Sequence, residues 1–390
     1  MTGQNQRDKR RILFVNDEME MGGVARVLNT LMKNLDQQVY QIDLLVLHKT
    51  GTLLQDIPEG VHVIEGTSFF NAVDSPLKEL LKKGDLPHLF SKLRLLLYMK
   101  TGSIRSKILK ERKKMLSGVY DVEMAAKEGF CTIFTAYGNS KRKVNWVLTD
   151  YSVCNYSANH MRLVKSALQK IDLNIADSAE ATEAYKKVFG IQNVITIHNL
   201  MNTEKVEKGK TKTEDQAEID PSKLNVISVI RFHPQKAADR LLLAHKYVLD
   251  QGIEHELYLI GGGEQEAMLL KMQKDLNLTH VHFLGFKTNP YADIRVCDLF
   301  VLPSLYEGFA TVINESFIAG TPVLSTEVAG VHEQITAPHF GWIVENSQKG
   351  LNEGLLNALQ SKDQLQEMKR QLQGYHYPND KFIRKFTEVL

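Results

Sequence analysis

Short apolar runs alternate along the chain with longer segments of helical periodicity. The runs at Ile12–Asn16, Val39–Leu47, Val61–Ile64, Tyr120–Ala125, Val144–Leu148, Ile171–Ala176 and Val194–Ile197 read as strands. Helices follow several of them, at about Val24–Leu35, at Lys127–Ala136 and from Ala179 onward. A second series has strands at Asn225–Ile230, Leu257–Ile260, Val281–Phe283, Leu299–Leu302 and Pro322–Ser325, with helices over Ala237–Asp250 and Ala310–Ala319. Unbroken apolar strands joined by helices are the mark of parallel sheets built from βαβ units, because such strands are covered on both faces. The pattern predicts an α/β protein. Between the series, Thr203–Ile219 is polar and charged without apolar periodicity and reads as a flexible linker. The chain therefore divides into a first domain over 1–203, a linker over 204–220 and a second domain over 221–374, followed by a helix over 375–390.

The richest chemistry lies between Leu299 and Gly330. Pro303 ends one strand, Gly320 ends the helix after it, and Glu307 and Glu315 sit in the connection. In doubly wound sheets ligands bind outside the carboxyl ends of strands, where a helix N-terminus offers free N–H groups to phosphate. Gly308, Ala310 and Thr311 would supply such donors. A carboxylate only accepts, so Glu307 and Glu315 beside an anion site would read the hydroxyls of a polyol. A sugar nucleotide has both parts. On spacing alone the pair reads equally well as a solvated helix residue and a carboxylate complementing a helix dipole.

Arg231 ends the first strand of the second series and Lys236 opens the helix after it, so both can reach the crevice outside the strand ends. Two cations there would neutralise a diphosphate without a metal, Arg as a planar fork and Lys as a point charge. Taken in isolation, the same spacing is also common surface decoration. Gly22 and Gly23, at a strand-to-helix turn, admit close approach of backbone to ligand or make a tight turn. No G-x-G-x-x-G accompanies them, which weakens a dinucleotide reading.

At 390 residues, 43% hydrophobic and 24% charged, the chain can fill two cores. A net charge of +2 implies no global affinity for nucleic acid or membrane. Cys131, Cys154 and Cys297 are far apart and form no C-x-x-C, which argues for a reducing compartment and against a metal site or disulfide framework. The start has no signal-type apolar stretch and no run approaches a membrane span, so a cytoplasmic location is expected. One region departs from the neutral background. From Lys78 to Lys114, twelve Lys and Arg stand against three acids. Within this basic insertion of about 76–116, apolar residues at Leu86, Leu89, Phe90, Leu93, Leu96 and Leu97 mark one helix face. It reads either as a face docking peripherally on the inner side of an anionic membrane, or as a core helix with solvated lysines.

The stretch S-L-Y-E-G-F-A-T-V-I-N-E-S-F-I-A-G-T-P-V, Ser304–Val323, resembles the signature of the group 1 glycosyltransferases, the retaining family four. The resemblance implies the GT-B fold, two Rossmann-like domains facing across a cleft, with the last helix returning to the first domain. It also implies that Glu307 contacts a donor sugar and Glu315 the nucleotide ribose, with Gly308, Phe309, Ala310 and Thr311 beside them. Arg231 and Lys236 resemble the family's phosphate-binding pair. G-G-V-A-R-V-L-N-T-L, with Gly22 and Gly23, resembles its first glycine loop, and the loop at Gly285 and Phe286 its main-chain contact to the base. Y-D-V-E-M-A-A-K-E-G-F-C-T and W-V-L-T-D-Y resemble bacterial capsule and exopolysaccharide members. There Leu148 stands where the family pattern has histidine. Asp150 remains on the acceptor side, and His160 is the candidate replacement, although a lone helix histidine also reads as structural.

The implied activity is retaining transfer of a hexose-type sugar from a UDP-sugar, or a GDP-sugar, to a saccharide acceptor, lipid-linked, in cell-surface glycan assembly. No cofactor, metal or nucleic acid enters. A catalytically silent GT-B partner or glycan-binding protein is the alternative, ahead of a sugar-nucleotide epimerase.

Overall fold

The structure is a computed structural model that describes residues 9–390 apart from 21, 74, 76, 154–155, 212–215 and 337–339. The Cys154 position and part of the expected linker fall outside the described residues. The chain forms two compact units, one running to Leu200 and including Asn379–Leu390, the other Met201–Pro378.

The first unit contains β1 (Arg10–Asn16), β2 (Tyr40–Val46), β3 (His62–Glu65), β4 (Val122–Ala125), β5 (Arg142–Val147), β6 (Leu173–Ala176) and β7 (Val194–Thr196). They pair in parallel in the order β3-β2-β1-β4-β5-β6-β7. The centre is fully buried on both faces, with Ile12, Leu13, Phe14 and Val15 all at 0% exposure. This is why these strands read as unbroken apolar runs. The order reverses between β1 and β4, so the loops after these strands flank the switch point where doubly wound sheets bind ligands. The helix α1 (Gly23–Asn34) follows β1. The expected helix over Lys127–Ala136 begins only at Phe130, because Gly129 holds a positive φ of 87° that breaks the turn before it. The last helix, Asn379–Val389, packs on this unit, with the Phe386 ring 4.9 Å from Trp146 and Phe382 5.0 Å from His198.

The basic insertion forms α2 (Leu77–Lys83), α3 (Leu86–Thr101) and α4 (Ile104–Met115). Leu95, Ile104 and Ile108 are its contribution to the core. The apolar face read from Leu86, Phe90, Leu93 and Leu97 is not that contribution, since all four are exposed.

In the second unit β8 (Asn225–Val229), β9 (Glu256–Ile260), β10 (Val281–Gly285), β11 (Leu299–Leu302), β12 (Val323–Thr326) and β13 (Gly341–Val344) form a parallel sheet in the order β10-β9-β8-β11-β12-β13. Its switch point lies between β8 and β11. The expectation of a flexible linker needs correction at both of its described ends. Thr203–Gly209 is a helix capped by Asn202, and Val206 is buried at 1%. Further on, the Ala217 N–H donates to Asp293 at 2.8 Å and the Gln216 side chain donates to the Ala292 carbonyl at 3.1 Å. A single apolar anchor per turn leaves too little periodicity to see in sequence.

Two buried histidines couple this unit to pH. The Ile253 carbonyl can only accept, so His255 Nδ1–H donates to it, which leaves His255 Nε2 to accept from His245 Nδ1 at 2.8 Å. Burial, then His255, lowers the His245 pKa to about 3, and burial lowers that of His255. The unfolded chain takes up both protons near pH 6.5 and the native one does not. Native stability therefore falls as pH drops below about 6.5, by about 1.4 kcal/mol per pH unit for each neutral histidine. We expect wild type to lose more denaturant stability between pH 7 and 5 than a His245→Leu/His255→Met variant; equal losses would contradict this coupling.

Candidate functional site

The carboxyl edge of the second sheet gathers four loops in the order in which their strands lie. After β8 the chain turns through Arg231–Lys236, and after β11 through Ser304–Ala310. These two flank the switch point and are stitched together, with the Leu305 N–H donating to the Gln235 carbonyl and the Gln235 side chain to the Tyr306 carbonyl, both at 2.8 Å. The side chains meet as well. Lys236 Nζ lies 2.5 Å from Glu307 Oε1, and Ser304 Oγ donates to the same oxygen at 2.6 Å. Glu307 is 7% exposed, so its charge is held by one cation and one hydroxyl away from bulk water.

The helix Thr311–Ala319 starts at this point. Ala310 gives it no side-chain cap, so its first N–H groups have no capping acceptor from that residue. Glu315 lies within it at 8% exposure, and Gly308, Phe309 and Ala310 are buried while Thr311 is half-buried. The helix is buried along most of its length, and Gly320, at φ 94°, closes its C-terminus. A solvated reading of Glu315 is thereby removed.

The glycine turn after β9 is required by crowding. A Cβ on Gly261 would fall 1.9 Å from the Ile230 carbonyl oxygen, and one on Gly263 2.5 Å from that of Phe232. The Phe232 N–H donates to the Gly262 carbonyl at 2.8 Å, which seats the Arg231 loop on this turn. Gly285 accepts from the Gly261 N–H at 2.9 Å, and Phe286 beyond it is 58% exposed. Arg231 is exposed at the rim. It acts on His233, whose pKa is lowered first by burial and then by the Arg231 and Lys236 charges, with Glu264 opposing, so that this imidazole is neutral at pH 7. Ser304, Gln235 and His233 are the participants that sequence reading did not single out. The available signal was their position, as polar residues directly beyond buried strands at a reversal of strand order.

In the first unit Gly22 and Gly23 follow β1 at the β1/β4 reversal, whereas Leu148 and Asp150 follow β5 and His160 lies on the helix after it. A Cβ at Gly22 or Gly23 would meet nothing within 4 Å, so the protein's own packing does not demand glycine there. Asp150 is half-buried, and its Oδ1 accepts from the Ser152 N–H and Oγ in a local turn. His160 stacks on Tyr156 at 4.4 Å and 14°, lies against Gly129, and has its pKa lowered by burial. Its Nε2 is buried without a hydrogen-bond partner. At Leu148 the backbone N–H donates to Glu128 Oε2 at 3.1 Å. Beside it Lys127 Nζ lies 2.6 Å from Asp17 Oδ2; burial opposes the ammonium charge, but Asp17 outweighs it and raises the pKa. Asp17, Lys127 and Glu128 are a charged cluster that the sequence did not announce.

Each unit is thus a Rossmann-like parallel sheet, and the chain has the GT-B fold. A crystal structure of Anabaena Alr3699/HepE with UDP and glucose superposes with a TM-score of 0.71 at 18% identity, covering 97% of this chain and 99% of that one. TarM gives 0.72 at 14% identity, covering 99% of each chain. Residues 209–374 match the family model described as Glycosyl transferases group 1. The second unit is therefore a group 1 glycosyltransferase domain, as the Ser304–Val323 signature implies. Among curated relatives, an N-acetylgalactosamine-N,N'-diacetylbacillosaminyl-diphospho-undecaprenol 4-alpha-N-acetylgalactosaminyltransferase of Campylobacter jejuni is 29% identical over 57% of this chain and 62% of its own. The putative glycosyltransferase EpsF of Bacillus subtilis is 30% identical over 37% of this chain and 40% of its own. The matches span less than two thirds of either relative.

Proposed function

We propose that the protein is a retaining glycosyltransferase that moves a sugar from a nucleotide diphosphate to a saccharide acceptor in cell-surface polysaccharide assembly. The observation that carries this reading is the Lys236–Glu307 contact at the switch point of a group 1 domain. As the diphosphate departs, negative charge grows on its oxygens, and Lys236 and Arg231 are the cations set to receive it. Both protein contacts of Glu307 use Oε1, which leaves the lone pairs of Oε2 for a sugar hydroxyl. Glu315 takes the ribose, the first N–H groups of Thr311–Ala319 take phosphate oxygens, and the Gly285–Phe286 loop takes the base. These contacts contribute orientation. No metal enters, so turnover persists in EDTA. The acceptor is assigned to the first unit's strand ends near Asp150, with His160, neutral at pH 7, in the place left by Leu148. A lipid-linked saccharide is the favoured acceptor class, because the Campylobacter relative's name carries diphospho-undecaprenol. With that acceptor class, we infer a reaction at the cytoplasmic face of the membrane.

A UDP-sugar is the first donor to test, since the Anabaena structure of this fold holds UDP. Calorimetry with UDP and GDP, followed by a panel of UDP- and GDP-sugars scored for nucleotide release, is the decisive experiment. Binding of one nucleotide and release from one sugar donor are expected. A silent GT-B partner, the reading favoured by Leu148, need bind neither. An epimerase would release an isomerised free sugar with no acceptor present.

A further inference from the structure

The most exposed large apolar side chains of the described residues are Leu86 (70%), Phe90 (67%) and Leu97 (60%), all on α3, with Leu93 between them at 49%. At about 100° per residue these four fall in a stripe about 60° wide, and Leu95 lies nearly diametrically opposite. Leu95 is 2% exposed and belongs to the core. The inward face is anchored by further contacts: Tyr98 meets Phe69 edge-on at 5.6 Å, Arg94 lies over the same ring at 5.3 Å, and Lys92 donates to the Val73 carbonyl at 2.9 Å. The helix is also stopped at both ends, by the Asp85 side chain accepting from the His88 N–H and by Gly102 at φ 76°. Its orientation is therefore fixed, and the stripe faces outward.

The three helices of the insertion also carry exposed cations. Lys82, Lys83, Lys100, Arg105, Lys110 and Lys113 are exposed. The described acids of the region do not offset them: Glu111 is buried and bonded to Lys107 and Lys114, and Asp85 is paired with His88. A second copy of the chain on this face would bring two such basic surfaces together. An anionic bilayer supplies the opposite charge for the lysines and an apolar boundary for the leucines at once. At 16 residues α3 is too short to span, and among the described residues no helix is long and apolar enough to cross a membrane.

We propose that α3 lies in the surface of an anionic membrane, with Leu86, Phe90, Leu93 and Leu97 inserted below the headgroups and the neighbouring cations on lipid phosphates. This deepens the reading of a lipid-linked acceptor and rests on it only for its purpose, since the surface is tested without substrate. The full chain is sedimented with phosphatidylglycerol–phosphatidylcholine vesicles and with pure phosphatidylcholine vesicles at low salt. Wild type is expected to bind the anionic vesicles at least about tenfold more strongly, and a Leu86→Ser/Phe90→Ser/Leu93→Ser/Leu97→Ser variant with unchanged circular dichroism to lose at least about tenfold of that binding. Phe90→Trp, a single exposed change that keeps the fold, should shift its emission to the blue on anionic vesicles and be quenched by brominated acyl chains. No binding by wild type, equal binding by the serine variant, an unshifted Trp emission, or a stripe-dependent dimer in solution would each overturn the proposal. Nucleotide calorimetry on the serine variant separates the two readings, because loss of vesicle binding with nucleotide binding retained bears on the membrane face alone.

Discussion

The Lys236→Ala protein is expected to lose sugar transfer about a hundred- to a thousandfold, chiefly in kcat, because a preorganised charge at a departing diphosphate acts mainly in the transition state. In the structure this ammonium has one direct carboxylate partner, Glu307, at 2.5 Å, and it stands at the end of the strand next to the one that carries Ser304 and Glu307. Its removal leaves the nearly buried Glu307 with the Ser304 hydroxyl alone, so the cost approaches that of a broken buried pair, about 3–5 kcal/mol, and circular dichroism checks that the variant folds before its kinetics are read. Glu315→Ala should behave differently. A ribose contact is made equally in the ground and transition states, so its loss raises the donor KM more than it lowers kcat. Ser304→Ala touches no substrate in this scheme and acts by fixing the Glu307 rotamer; it should shift both parameters modestly. Steady-state kinetics on the three variants reads the pattern. A near-normal kcat in Lys236→Ala together with an unchanged donor KM in Glu315→Ala would show that the site has been misassigned.

The pairing behind this prediction was legible only in part. Leu299–Leu302 is a strand with the bounds its apolar run suggests, and the helix that follows starts one residue later than expected, because burial on all sides produces unbroken hydrophobicity. Lys236 and Glu307, by contrast, are 71 residues apart. Nothing in local periodicity joins them; the reversal of strand order does, and that is a property of the whole sheet. The face of α3 was legible as a stripe but not as to its side, since periodicity marks a helix surface without saying whether core or solvent meets it. The helix Thr203–Gly209 and the Asp17–Lys127 pair were missed for related reasons: one anchoring valine gives no pattern, and ion pairs between distant loops leave no local trace.

Arg112→Met is expected to be among the most destabilising single changes in the first unit, by about 3–5 kcal/mol, because it strands a buried carboxylate. The two guanidinium nitrogens of Arg112 lie 2.7 Å from the two oxygens of Glu123, a bidentate pair, and the guanidinium also covers the Phe134 ring at 4.6 Å. Glu123 is 0% exposed on β4, and burial already pushes its carboxyl above the ordinary glutamate pKa despite the pull of Arg112. Without the guanidinium the upward push of burial is opposed only by the smaller pulls of Lys143 and Thr135, and the native protein holds a proton that the unfolded chain releases near pH 4.3. A folded pKa raised above the unfolded one contributes stability below the unfolded value that is lost as pH rises through the folded value. Arg112→Met should therefore recover part of its deficit relative to wild type between pH 8 and pH 5. Adding Glu123→Gln, which removes the charge, should recover most of it at pH 8. Urea unfolding of the single and double variants at the two pH values measures both. A single variant whose deficit does not change with pH would mean that lost packing on Phe134, and not the orphaned carboxylate, sets the cost.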